Sequence, residues 1–235
     1  MDPRHLFIDK RHFGACVYCG GERESRDHIP PKVFLDEPYP PELPVVDACN
    51  KCNTGYSLDE QYLSCFLEVV LCGTSEPSSL SRPKIGRILT DNPGLKRRID
   101  SSGNKGLFGE LSWQPEVDRV KRVITKLARG HAAYELYPHY EEPTVIGFTP
   151  LSILTNEEQT AFEGNLSEGL NILPELGSRA FKRLFLFGNE LVSFDHNGDW
   201  IIVQPRRYRY AVTESDGLIV RIVLSEYLAC TVSWK

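Results

Sequence analysis

Apolar positions along this chain repeat with two different periods, and the change of period divides it. Leu58, Tyr62, Cys65, Phe66 and Val69 recur at helical spacing and end at Gly73. Ser57 and Glu60 read as the N-cap and N3 residues of a capping box for that helix. A longer helix is expected near Glu116 to Leu136. Its apolar stripe is Val117, Val120, Val123, Ile124, Leu127 and Ala128, with Arg119, Lys121, Arg122, Lys126 and Arg129 on the other side. Thr155 and Glu158 mark the start of a shorter helix. From Phe181 onward the period is two. Arg183 to Phe187, Glu190 to Phe194, Trp200 to Gln204, Tyr208 to Thr213, Leu218 to Leu224 and Tyr227 to Trp234 read as strands, and Gly188-Asn189, Asn197-Gly198 and Asp216-Gly217 supply hairpin turns. These six segments predict an antiparallel meander.

The first 57 residues follow neither period. They are rich in Gly, Pro and Cys, and the prolines at 30, 31, 38, 40, 41 and 44 exclude a long helix, leaving a short strand at Val45-Val46. Glu76 to Pro83 reads as a polar linker, while Asn92-Pro93-Gly94 and Ser101 to Asn104 read as turns or exposed loops. The expected class is α+β with two domains, 1–75 and 76–235. A composition with 41% apolar residues, 11 Phe, 10 Tyr and 3 Trp supports a packed core and excludes a disordered polymer. No apolar run approaches the roughly 20 residues of a membrane span, and Met1 to Lys10 lacks the apolar region of a signal peptide. A cytoplasmic protein without membrane contact is expected.

Charge changes the picture in one place. The net formal charge is −5, yet residues 81–130 hold twelve Lys and Arg against five Asp and Glu. Such a segment suits local phosphate contact, or simply a solvated helical face.

The candidate chemistry lies in the proline-rich part. Cys16-Val17-Tyr18-Cys19 and Cys49-Asn50-Lys51-Cys52 are two C-x-x-C pairs, and two such knuckles close one tetrahedral zinc cage. Residues 20–48 separate them, more than the roughly 15–20 of a plain zinc ribbon. That interval contains Asp27-His28, and Asn53 follows the second pair. Cys65, Cys72 and Cys230 sit in apolar surroundings and read as buried free thiols. Asp195-His196 falls in an expected hairpin turn and is assigned no chemistry.

Cys16-x-x-Cys19, Arg26-Asp27-His28-Ile29-Pro30 and Cys49-Asn50-Lys51-Cys52-Asn53, in that order, resemble the HNH endonucleases, the zinc-stapled branch of the ββα-metal (His-Me finger) superfamily. The wording Arg26 to Lys32 is similar to a bacterial stand-alone group of that family. The resemblance covers residues 12–60. It implies a small ββα-metal module with a structural Zn²⁺ on the four cysteines, His28 as general base, and a catalytic divalent cation, Mg²⁺ or similar, on Asp27 and Asn53. The implied activity is single-metal hydrolysis of phosphodiester bonds in nucleic acid. One departure stands out: the middle Asn of the family name is missing from Pro44-Val45-Val46-Asp47-Ala48. A backbone carbonyl at Val45 or Val46, or the side chain of Asp47, would have to orient the base.

Arg26, Lys51, Lys96, Arg97, Arg98, Arg122 and Lys126 are the candidate nucleic-acid contacts. Phe108 and Trp113 are the few aromatics among the basic residues, so duplex DNA is favoured over stacked single strands. The competing reading is a catalytically inactive zinc-finger module that binds DNA or a protein partner. Within it Asn53 only caps a helix and Glu60 only completes the capping box.

Overall fold

The computed structural model describes residues 14–41, 43–106, 111–164, 184–187, 190–193, 200–214 and 217–235. In chain order the elements begin with β1 (Ser25–His28), β2 (Val45–Ala48), α1 (Asn50–Gly55) and α2 (Ser57–Cys72). Next come α3 (Pro83–Asp91), α4 (Pro93–Ser101), β3 (Gly103–Lys105), β4 (Leu111–Trp113) and α5 (Val117–Glu135). They are followed by β5 (Val145–Pro150), α6 (Asn156–Glu163), β6 (Leu184–Phe187) and β7 (Glu190–Ser193). The last four are β8 (Ile201–Gln204), β9 (Tyr208–Glu214), β10 (Leu218–Leu224) and β11 (Leu228–Trp234). The class is mixed helix and antiparallel sheet.

Two of the three expected helix boundaries have the anticipated chemistry. α2 ends at Gly73, whose φ of 65° lets its N–H reach the carbonyls of Val69 and Val70. α6 starts with a capping box: Glu158 N donates to Thr155 Oγ1 at 3.2 Å, and Thr155 N donates to Glu158 Oε2 at 2.9 Å. At Ser57 no capping box forms. α1 runs into α2 with only Tyr56 between them, so Ser57 has no open helix end to cap, and its Oγ donates to the Thr54 carbonyl at 2.7 Å. Glu60 is buried instead.

α3 begins at Pro83, the last residue of the expected linker, and α4 takes in Pro93-Gly94 of one expected turn and Ser101 of the other. Pro83 and Pro93 sit in their first turns, where a missing N–H costs no intrahelical bond. Asn92 caps α4 by accepting from Leu95 N at 3.0 Å, so Asn92-Pro93-Gly94 is a helix junction and not a free turn.

The period-two segments form a five-stranded antiparallel sheet in the order β5-β11-β10-β9-β8. Its last four members are the expected meander, with Val220 opposite both Val232 and Val212. β5 was not foreseen as its edge strand. β6 and β7 pair with each other as a separate hairpin. Gly188-Asn189, Asn197-Gly198, Asp216, Asp195-His196 and Phe108 lie outside the described residues.

One apolar cluster contains Phe34 and Leu35, Tyr62 to Val69 of α2, Ile85 and Leu89 of α3, Val120 to Ala132 of α5, and Tyr208, Val220, Ile222 and Val232 of the sheet. It therefore crosses residue 75, the expected domain boundary. Arg82, itself buried, fastens the proline-rich segment to the helices. Its Nε meets Asp36 Oδ1 at 2.6 Å, and its Nη2 donates to the Val33 and Leu35 carbonyls at 3.0 and 2.9 Å.

The β1–β2 hairpin reaches α5 through a close approach at Gly130. A Cβ there would come within 2.6 Å of Ile29 Cδ1 and 2.8 Å of Ile29 Cγ1, and Ile29 is fully buried. Helix propensity alone predicts that Gly130→Ala stabilises by about 0.8–1.0 kcal/mol. The packing predicts the opposite sign: urea denaturation is expected to show a lower midpoint for G130A than for wild type. A higher midpoint would contradict this contact.

Candidate metal centre and the hairpin beside it

The first knuckle is a tight turn in which Cys16 N donates to the Gly21 carbonyl at 2.7 Å and Gly20 N donates to the Cys16 carbonyl at 2.8 Å. Gly20 takes a φ of 74°, which favours glycine. Val17 N donates to the Asp47 carbonyl at 3.0 Å, stitching this knuckle to β2. The second knuckle caps α1. Cys49 is its N-cap, and Cys49 Sγ accepts from Cys52 N at 3.3 Å. Glu24 Oε2 accepts from Asn50 N at 2.9 Å at the same helix end.

Together the knuckles bring the sulfurs of Cys16, Cys19, Cys49 and Cys52 within 4.8 Å of one another. Cys19 Sγ and Cys49 Sγ are 3.8 Å apart. A tetrahedron with Zn–S bonds of about 2.3 Å has edges of about 3.8 Å, so the donor set fits a structural zinc ion. The Cys52 N–H lowers the pKa of Cys49, while burial raises those of Cys16 and Cys52. Binding such an ion would release the thiol protons.

β1 pairs with β2 in the register Ser25↔Ala48, Arg26↔Asp47, Asp27↔Val46, His28↔Val45. Alternation puts Ser25, Asp27, Val46 and Ala48 on one face and Arg26, His28, Val45 and Asp47 on the other. The first face is covered by α1 and α5. There Asn53 Nδ2 donates to Ser25 Oγ at 3.1 Å and to the Arg26 carbonyl at 3.2 Å.

Asp27 lies on the same covered face, 7% exposed. Its Oδ2 accepts from Tyr18 OH at 2.9 Å and meets Lys126 Nζ at 2.6 Å. Lys126 Nζ is also 2.6 Å from Glu60 Oε1, and it stands 5.4 Å from the Tyr18 ring centre and 5.5 Å from that of Tyr56. Burial opposes the charge on Lys126, but Glu60 and Asp27 outweigh it and raise its pKa. Burial and Asp27 push Tyr18 well up, which keeps its phenol a donor.

His28 ends β1 on the opposite face, partly buried. Its pKa is lowered by burial and by Lys32, with Asp27 opposing. Its Nδ1 is buried without a hydrogen-bond partner among the described residues. The structure thus brings Asp27 and Asn53 to one side of the hairpin and leaves His28 on the other.

The expected basic face is largely consumed by ion pairs. Lys126 is buried and cannot contact nucleic acid, because two carboxylates hold it inside. Arg122 Nη2 meets Asp59 Oδ2 at 2.7 Å, and Arg119 Nε meets Asp59 Oδ1 at 2.9 Å. Lys96 pairs with Asp100 at 2.9 Å and Arg98 with Glu116 at 3.7 Å. Arg26, Lys51 and Arg97 are exposed.

Sequence reasoning missed the cluster of Tyr18, Glu60 and Lys126. Its signal was a second stripe on α5. Lys126, Gly130, Ala133 and Tyr134 recur at helical spacing, with small residues where the hairpin packs. Comparison with models of protein families, with curated proteins and with solved structures finds no match to this chain.

The cysteine geometry predicts about one zinc per chain by plasma mass spectrometry. Cys19→Ser and Cys49→Ser are each expected to lose it, and Cys72→Ser to keep it. Zinc-free wild-type protein purified without chelator would contradict the assignment.

Proposed function

We propose that this chain is a nucleic-acid hydrolase of the HNH type that uses His28 as its general base. The observation that carries this reading is the position of His28: an imidazole at the end of a cysteine-clamped hairpin, held toward its neutral form by burial and by Lys32. A neutral imidazole takes a proton from an attacking water. Exposed Arg26 on the same strand face, and Lys32 just beyond it, offer positive charge to the phosphate under attack. The four thiolates would hold zinc as a structural ion that fixes the knuckles on either side of the hairpin.

The second cation implied by the family resemblance, on Asp27 and Asn53, does not fit these residues as they stand. The Asp27 carboxylate is buried against an ammonium and a phenol, and the Asn53 amide is engaged with Ser25 and Arg26. The same observation favours a second reading, a zinc-stapled module that binds nucleic acid without cutting it. Duplex DNA is the proposed substrate in the first case and the proposed ligand in the second.

Nicking of supercoiled plasmid by zinc-loaded protein, with and without added Mg²⁺, separates the two. The hydrolase reading predicts cleavage by wild type and a loss of roughly 10²-fold or more in His28→Ala with zinc content unchanged. His28→Ala cutting as fast as wild type would refute the role of His28. Binding without nicking in both proteins would establish the second reading.

A further inference from the structure

Most cations on the helices where the sequence suggests phosphate contact are already paired with carboxylates. On α4 and α5, Lys96, Arg98, Arg119, Arg122, Lys126 and Arg129 each have a carboxylate within ion-pair distance, while exposed Arg97 and Lys121 have none among the described residues. Lys32, Lys84 and Arg87 have none among the described residues, and they are linked to one another. Lys84 Nζ donates to the Lys32 carbonyl at 2.9 Å and to Tyr39 OH at 2.8 Å. Both ammonium groups stand over the Tyr39 ring, Lys32 at 5.4 Å and Lys84 at 5.1 Å. Lys84 and Arg87 line one open cleft of about 300 Å³ with Arg82, Pro83, Asp36 and Glu37.

We infer that the nucleic-acid backbone is held along Lys32, Lys84 and Arg87, on a track that begins beside His28, and not along α5. This rests on the nucleic-acid reading above and names the surface that serves it. An ammonium has three donors. Lys84 uses two on neutral acceptors, which leaves a donor and a whole charge for an anion. Asp36 does not neutralise the cleft, because Arg82 and Arg207 already hold its two oxygens. Glu37 is the remaining carboxylate there, against Lys84 and Arg87. Burial and the neighbouring Arg82 lower the pKa of Lys84, with Glu37 and Asp36 opposing. Lys32 is close enough to His28 to depress the imidazole's pKa, so the track and the base are neighbours. Phosphate contacts position a strand without reading its bases, which suits point charges on flexible stems.

The test is fluorescence anisotropy of a labelled DNA duplex titrated with full-length, zinc-loaded protein at several salt concentrations. Each lost phosphate contact makes the slope of log K against log salt shallower by about 0.9. Lys32→Gln combined with Arg87→Gln is expected to bind more weakly, with a slope shallower by roughly 2. Arg97→Gln combined with Lys121→Gln, on α4 and α5, is expected to match wild type. Circular dichroism on all three proteins checks the fold. A wild-type slope in the first variant, or the loss appearing in the second, would overturn the assignment of this surface. Absence of salt-dependent binding by wild type to duplex, single-stranded DNA or RNA would overturn the nucleic-acid reading itself.

Discussion

A single ammonium, that of Lys126, ties the small hairpin to the body of the protein. Burying one charge without partners costs several kcal/mol even after relaxation, so the site tolerates Lys126 only because Asp27 and Glu60 approach it from opposite elements. Asp27 comes from β1, Glu60 from α2 and Lys126 from α5. Their mutual requirement sets how those three elements stand to one another. Tyr18 adds a hydrogen bond to the same carboxylate and extends the constraint to the first cysteine knuckle. The rest of the candidate site follows from this pairing. With Asp27 turned inward, strand alternation turns His28 outward.

The cysteine cluster solves a different problem. Residues 14–55 contain two four-residue strands, two knuckles and two short helical stretches, and the buried apolar cluster they form around Ile29 and Val46 is small. Four thiolates converging on one ion would supply the missing constraint from one end, and Lys126 supplies it from the other. Gly130 lets Ile29 sit directly on the α5 backbone between these two anchors. A larger apolar cluster joins Phe34 and Leu35 to α2, α3, α5 and the five-stranded sheet.

Much of the fold was legible where one period dominates. α5, the end of α2, the start of α6 and the four-strand meander follow from apolar spacing and end-capping residues. The convergence of the four cysteines followed from their spacing alone. What escaped was decided by tertiary context. α3 and α4 are short and begin at prolines that also signal turns. β5 is an edge strand whose partner, β11, lies about eighty residues downstream in the chain. Ser57 and Glu60 satisfy the capping-box pattern, yet continuity with α1 removes the helix end that the pattern needs. Lys126 sits among exposed cations in the sequence, and only the approach of the hairpin makes it an interior residue.

The account stands on Asp27 and Lys126 being partners in the interior. A double-mutant cycle with Asp27→Asn and Lys126→Met, measured by urea denaturation of zinc-loaded protein, tests this most directly. The account predicts an interaction free energy of about 2 kcal/mol, near the upper end of the range for residues in contact. Strictly additive effects of the two substitutions would show that they do not meet, and the placement of His28 argued from them would fall.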